Sequence, residues 1–288
     1  PRWEFSLVSL RTMFSFGSKL LFSGLLDTAY RNLYQFVIGR RFSKQDLGYY
    51  SRADQFAQFP SSNITGIIQR VTYPILCTMA DDDDTLLSAY RQYIKLAAYI
   101  IFPLMIGLAA VAKPLILIIL GQKWQFAAII LQIICFSYLW YPIHALNLNL
   151  LIVKGRSDLF LRVEIIKKVV GICILIVVMN FSVKIMAAGN VVSSMIALFI
   201  NTYYTKKLAG YGIIKQIKDI FPSFILSIAS CVPAFVLSQV FPNNGVILLL
   251  SIILAVAVYL FISKILKIDE FVQIESSLTT ILQNRNAR

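Results

Sequence analysis

The chain has 288 residues, of which 58% are apolar and 14% charged, and its mean hydropathy is +0.73. Soluble domains carry about 25% charged residues, so this composition excludes an ordinary water-soluble enzyme, a disordered chain and a soluble nucleic-acid-binding protein. The excess of 27 Lys and Arg over 14 Asp and Glu is typical of a membrane protein whose cytoplasmic loops face anionic lipid.

Apolar segments along the chain predict eight membrane-spanning helices, because a helix needs about 20 apolar residues to cross the hydrocarbon core. The first two segments carry charged residues in their interior, and the other six do not. Short loops between them favour an antiparallel arrangement. The predicted fold is therefore an all-α, polytopic transmembrane helical bundle. In chain order the spans cover residues 13–39, 48–79, 96–112, 126–153, 169–183, 185–205, 220–240 and 246–263.

The distribution of basic residues predicts the orientation of the chain. An even number of spans leaves both termini on one side of the membrane. That side receives 18 of the 27 Lys and Arg residues and the opposite side receives 6. Since cytoplasmic loops are enriched in Lys and Arg, both termini are expected in the cytoplasm.

Motifs that would indicate an enzyme are absent from the sequence. It contains no phosphate-binding G-x-x-x-x-G-K-[ST] loop and no H-E-x-x-H zinc motif. One histidine and four cysteines without a C-x-x-C pair exclude a Cys/His zinc site. The predicted loops are too short to hold a folded catalytic domain. We therefore expect no catalytic residues, no metal site and no cofactor.

The informative residues of the first span are its internal charges. Asp27 and Arg31 are four residues apart, so they share one helix face. Tyr34 and Gln35 continue that face. An ionisable group inside a span is costly and is usually found facing a wet cavity or a partner. The alternative is a local Asp27–Arg31 pair that only fixes helix packing.

The second span is also more polar than a lipid-facing helix. Its polar residues include Arg52, Gln55, Gln69 and Arg70. We expect the first two spans to line an aqueous cleft that is net positive, because their three arginines outnumber the carboxylates of Asp27 and Asp54. The alternative for Arg52 and Arg70 is that they extend toward the membrane interface.

Arginine and tyrosine together favour one class of ligand. The planar guanidinium group binds phosphate through two parallel hydrogen bonds, and aromatic faces stack on the C–H surfaces of sugar rings. An anionic sugar-phosphate headgroup would satisfy both.

The span 126–153 contains the only histidine of the sequence, His144. It follows Pro142, which should interrupt the helix. His144 is either a proton relay or a hydrogen-bonded structural residue.

Three segments resemble a known family of membrane proteins. They are FSFGSKLLFSGLLDTAYRNLYQFVIGR at 14–40, DLGYYSRADQFAQFP at 46–60 and the turn KPLILIILGQKW at 113–124. They resemble bacterial polysaccharide flippases of the Wzx/WzxC-like group. This group belongs to the multidrug/oligosaccharidyl-lipid/polysaccharide exporter superfamily.

The resemblance implies a division of the chain into four parts. Full proteins of this family have fourteen spans in two six-helix lobes and a terminal pair, so the eight spans here correspond to spans seven to fourteen. The chain begins at Pro1 rather than Met, and we expect a first lobe, absent from this sequence, to complete the transporter. The predicted parts are a cytoplasmic interlobe linker at 1–15, the six-helix lobe at 16–209, two additional helices at 210–263 and a cytoplasmic tail at 264–288.

The resemblance also implies a function and a set of partners. It implies a flippase that moves undecaprenyl-pyrophosphate-linked oligosaccharide across the bacterial plasma membrane by alternating access, driven by a coupled proton or sodium ion. Expected partners are the lipid-linked oligosaccharide, membrane lipids, a polysaccharide polymerase and chain-length proteins, but no nucleic acid. In this family the first helices of each lobe line the cleft. The alternative is a cation-coupled multidrug exporter of the same superfamily, for which a net-negative cleft is expected.

Overall fold

The computed structural model describes residues 7–240 and 244–286, and every regular element in these ranges is a helix. The predicted all-α fold is therefore confirmed. The α-helices in chain order are α1 (Leu7–Arg41), α2 (Lys44–Thr78), α3 (Asp83–Ala110), α4 (Ala112–Leu120), α5 (Gln125–Leu139), α6 (Tyr141–Val153), α7 (Ser157–Val178), α8 (Val183–Ala209), α9 (Ile213–Val240), α10 (Gly245–Ile265) and α11 (Asp269–Asn286).

Five segments of the described residues are long and apolar enough to cross a membrane. They are Asp83–Ala110, Gln122–Val153, Val183–Ala209, Ile213–Val240 and Gly245–Ile265. The other three predicted spans correspond to α1, α2 and α7, which are helices of 35, 35 and 22 residues. They stay outside the apolar group because of their internal polar residues, some of which line the cavity described below.

The predicted domain boundaries stay predictions, although the helices cross some of them. Helix α1 begins at Leu7, inside the segment 1–15 predicted as a linker, and α11 occupies much of the predicted tail.

The segment 113–124 was predicted as a turn, but it folds as α4 followed by a single 3₁₀ turn. Pro114 is compatible with a helix there because it lies in the first turn, where backbone N–H groups have no partner within the helix.

Local chemistry explains several helix ends. Ser43 and Asp46 form a reciprocal capping box at the start of α2. Gly210 ends α8 in the left-handed conformation, with φ of 67°. The predicted interruption before His144 is confirmed, because α5 ends at Leu139 and α6 begins at Tyr141 with Pro142 in its first turn.

The helices pack around two apolar clusters. One cluster joins α1, α2, α4, α5, α7 and α8, and the other joins α3 and α9 to α2, α5, α6 and α8. Helix α10 lies at the periphery against α9, and only 11% of its most apolar 18-residue segment is buried. Such an exposed apolar helix is expected to face lipid.

A largely buried polar network fastens α9 to α3 and α6. Asp219 of α9 accepts hydrogen bonds from Arg91 at 2.9 Å and from the Tyr211 hydroxyl at 2.7 Å. Gln216 donates to Asn147 of α6 at 2.8 Å, and Asn147 also accepts from the Tyr90 hydroxyl. Each of these contacts satisfies a polar group that would be costly to leave alone in an apolar interior.

Candidate functional site

A cavity of about 590 Å³ opens between α1, α2, α5, α6, α7 and α8. Its volume is within the range of about 300–1,000 Å³ that is usual for small-molecule sites. Carboxylates, lysines, amides, hydroxyls and tyrosine rings make up most of its wall. The polar and aromatic side chains that line it are Ser23, Asp27, Tyr30, Asn32, Tyr34, Gln35, Tyr50, Asp54, Gln58, Gln69, Ser137, Tyr138, Tyr141, His144, Asn149, Glu164, Lys167, Lys168, Asn190, Ser193 and Ser194.

Two lysines and two carboxylates form an ion cluster across this cavity. Lys168 of α7 donates to Asp27 of α1, and its Nζ lies 3.7 Å from Glu164 Oε2. Lys167 pairs with the other oxygen of Glu164. The same Lys168 ammonium lies 4.7 Å from the centroid of the Tyr30 ring, a distance at which a cation is attracted to an aromatic face. The cluster thus joins the first helix of the bundle to α7.

Sequence reasoning missed Glu164, Lys167 and Lys168 as site residues. The two lysines directly precede the predicted span 169–183, and a basic pair in that position usually reaches for the membrane interface. A signal was nevertheless present, because Glu164 precedes them by three and four residues, the spacing at which side chains on a helix meet. All three side chains are largely buried in the structure.

Tyrosines form the wall beside the ion cluster. The Tyr30 and Tyr34 rings meet edge to face at 5.8 Å between centroids. Tyr30 packs onto the backbone of Gly171 in α7, where an added Cβ would lie 2.7 Å from its ring carbon Cζ. The Tyr138 hydroxyl donates to Asp54 Oδ1 at 2.9 Å. Gly171 therefore permits the approach of α1 to α7 that creates the wall.

Half of the residues predicted to line the cleft lie in this cavity. Asp27, Tyr34, Gln35 and Gln69 line it, and Gln69 Nε2 donates to Asn149 Oδ1 at 3.1 Å. Position 31 lies in α1, and the side chain of Arg31 is outside the described part of the structure. The predicted Asp27–Arg31 contact is therefore not described, whereas the contact of Asp27 with Lys168 is.

The remaining predicted residues lie elsewhere on α2. Arg52, Gln55 and Arg70 are exposed and do not line the cavity. Arg52 Nη1 donates to Gln55 Oε1 at 3.0 Å. With Phe59, Asn63 and Ile67 they form one exposed stripe along the helix, spaced three to four residues apart. This stripe mixes charge with apolar groups, unlike the apolar surface of α10.

The described part of the cavity is not the expected net-positive cleft but has the net-negative charge expected of the multidrug exporter, so the charge does not separate the two functions. Its wall holds Lys167 and Lys168 against the carboxylates of Asp27, Asp54 and Glu164. The difference arises because the stripe carries Arg52 and Arg70 on another face of α2. Helical spacing places Arg52, Gln55 and Arg70 on one face of α2, but the α2 sequence alone does not show which face lies toward the cavity.

His144 is hydrogen-bonded through both ring nitrogens. Asn201 Nδ2 lies 3.0 Å from Nδ1, and Nε2 lies 3.1 Å from the Ser194 hydroxyl oxygen. The amide nitrogen can only donate, so Nδ1 accepts and Nε2 carries the proton. Ser194 donates in turn to the Ser137 carbonyl oxygen at 3.2 Å. These contacts favour the structural alternative for His144, beside the break between α5 and α6.

Comparisons with known sequences match the predicted resemblance. A family model described as "Polysaccharide biosynthesis protein" matches residues 1–129. The chain is 31% identical over 159 residues to teichuronic acid biosynthesis protein TuaB of Bacillus subtilis, covering 55% of this chain and 33% of that protein. It is 24% identical over 245 residues to lipopolysaccharide biosynthesis protein WzxC of Escherichia coli, covering 83% of this chain and 49% of that protein.

A solved structure has the same fold. It is the lipid II flippase MurJ in an inward closed conformation, with a TM-score of 0.75 at 15% identity, covering 93% of this chain and 57% of that chain. The resemblance to Wzx-like polysaccharide flippases is thereby confirmed, as is a multi-pass membrane fold. The chain spans about a third to a half of the length of these curated relatives.

Proposed function

We propose that the complete protein moves a lipid-linked oligosaccharide across the bacterial plasma membrane for the synthesis of a surface polysaccharide. The observation that carries this proposal is the charged and tyrosine-rich cavity inside a bundle whose outer helices are apolar. Ionisable side chains in such a bundle mark a pathway or binding site, because burying them without a function is costly. The fold shared with the lipid II flippase supports the same conclusion.

The proposed mechanism is alternating access, in which two lobes rock around a binding site near the middle of the membrane. This chain supplies one lobe and a terminal helix pair, and a first lobe supplies the other wall. The oligosaccharide headgroup enters the cavity from the cytoplasm while the undecaprenyl tail stays in lipid. A coupled proton or sodium ion remains the predicted source of energy, and both termini remain predicted on the cytoplasmic side.

The exposed stripe of α2 is the proposed contact for the pyrophosphate. Its guanidinium groups at Arg52 and Arg70 present several donors in a plane that matches phosphate oxygens. We include Arg31 in this role because it lies on the neighbouring helix.

The expected protein partners are a polysaccharide polymerase and chain-length proteins, which would use the repeat units delivered outside.

Deletion of the complete gene in its host tests the proposal. Lipid-linked repeat units should accumulate on the cytoplasmic face, and surface polymer should disappear. Normal polymer without accumulation, in a host lacking a second flippase, would contradict the proposal and favour the multidrug exporter.

Arginine variants test the proposed pyrophosphate contact separately. Arg31→Ala or the double variant Arg52→Gln/Arg70→Gln should lower export at least tenfold, because charge-assisted contacts are about twice as strong as neutral ones. Membrane insertion should stay normal. Arg41→Gln, at the exposed end of α1, is the matched control. Unchanged export by the arginine variants would exclude the proposed role.

A further inference from the structure

We propose that the cavity between α1, α2, α5, α6, α7 and α8 is a subsite for uncharged sugar rings of the headgroup, and that it does not take the pyrophosphate. The inference rests on the proposed function. It divides the headgroup between two surfaces, with sugar in the cavity and phosphate on the exposed stripe of α2. Three features of the cavity wall carry it: its charge, its unused hydrogen-bonding groups and its tyrosines.

The charge of the wall opposes a phosphate ligand. Both lysines are already engaged, Lys168 with Asp27 and Glu164, and Lys167 with Glu164. Asp54 adds a third carboxylate to the lining. With ionised side chains, the described part of the wall is therefore net negative. A pyrophosphate in this space would meet like charge at short range in a medium of low dielectric constant, which is strongly unfavourable.

Two buried polar atoms in the wall have no hydrogen-bond partner among the described residues. They are Asn149 Nδ2 on α6 and the Tyr34 hydroxyl on α1, in side chains that are 7% and 3% exposed. A buried polar group without a partner costs free energy. A ligand oxygen that accepts hydrogen bonds would satisfy both atoms, since the amide nitrogen donates and the phenol hydroxyl can donate. Sugar hydroxyls can accept in this way, and the charge of the wall, rather than these two groups, separates them from phosphate.

Aromatic rings supply the apolar part of sugar recognition. Tyr30, Tyr138 and Tyr141 line the cavity without being fully buried, and the last two rings lie 6.4 Å apart. Such rings can meet the C–H face of a pyranose while neighbouring amides bind its hydroxyls. A volume of about 590 Å³ leaves space for a short oligosaccharide, within the range of small-molecule sites.

Binding of the two headgroup parts to the full-length protein in nanodiscs tests the inference. The probes are the host's phosphate-free repeat-unit oligosaccharide, released by mild acid, and inorganic pyrophosphate, measured by calorimetry. Tyr34→Phe removes only an unpartnered hydroxyl, so folding should be intact. Oligosaccharide affinity should fall about three- to tenfold, the usual value of one hydrogen bond. Tyr203→Phe, exposed on α8 and outside the cavity lining, is the matched control and should change nothing.

Each outcome supports or overturns the subsite. Oligosaccharide binding that Tyr34→Phe weakens and pyrophosphate does not displace supports it. Competition between the probes, weaker pyrophosphate binding in Tyr34→Phe, unchanged oligosaccharide binding in that variant, or no oligosaccharide binding by the wild type would overturn it. Translocation of the complete lipid-linked substrate is measured in parallel. A wild type that translocates without an oligosaccharide subsite refutes only the inference, and one that binds oligosaccharide without translocating refutes only the proposed function.

Discussion

Replacing Lys168 with Met tests whether the ion cluster holds α1 against α7. The substitution keeps a long side chain but removes the ammonium that Asp27 and Glu164 share. Glu164 retains Lys167, so Asp27 loses the larger share of its stabilisation. A second variant, Lys168→Met/Asp27→Asn, removes both members of the interhelical pair.

The expected loss of stability follows from the burial of the pair. Breaking a fully buried ion pair costs about 3–5 kcal/mol. The Lys168 side chain is 15% exposed and that of Asp27 is 33% exposed, so solvent reduces the penalty to about 2–3 kcal/mol. At about 2–4 °C per kcal/mol, Tm should fall by about 4–12 °C. The double variant should recover part of this loss, because the position 27 side chain no longer carries the charge that Lys168 neutralised.

Thermal unfolding of the full-length protein in nanodiscs measures this effect. Lys218→Met, on the exposed side of α9, controls for the loss of a lysine and should leave Tm unchanged. A Tm of Lys168→Met equal to that of the wild type would refute the interhelical pair. The same conclusion would follow if Asp27→Asn failed to restore stability in the double variant.

Two further substitutions test the packing of the site and of α9. Gly171→Ala should displace Tyr30 and reduce export several-fold without loss of membrane insertion. Its control is Gly66→Ala, which should be neutral because an added Cβ there meets nothing within 4 Å. Equal export by the two variants would contradict the role of the Tyr30–Gly171 contact in the site. Gln216→Leu leaves the Asn147 amide short of a partner and should destabilise the protein by about 1–3 kcal/mol, seen as a lower Tm. An unchanged Tm would show that the network does not fasten α9.

The fold could be predicted largely from apolar segments, because bilayer thickness sets the length of each span. The break before His144 was also predictable, since Pro142 cannot continue a helix. Helix α4 was not predictable, because Pro114 near its start and Gly121 at its end are residues typical of a turn. Its formation depends on burial of Ile116 and Leu117, which is a tertiary effect.

The site was only partly predictable. Asp27 and Tyr34 were identified because a polar residue in an apolar span is conspicuous. Lys167 and Lys168 were not identified, since a basic pair at the end of a short apolar segment commonly lies at the membrane interface. Their partner Asp27 is 141 residues away from Lys168 in the sequence. Only the packing of α1 against α7 brings the two together.

Translocation by the purified full-length protein in liposomes tests the central claim most directly. Vesicles would carry a fluorescent undecaprenyl-pyrophosphate-linked oligosaccharide, and a glycosidase added outside would report the fraction that reaches the outer leaflet. The account predicts cleavage beyond the half that is accessible at the start, with a reduced rate in Arg52→Gln/Arg70→Gln. Cleavage that stops at the level of protein-free vesicles would contradict it.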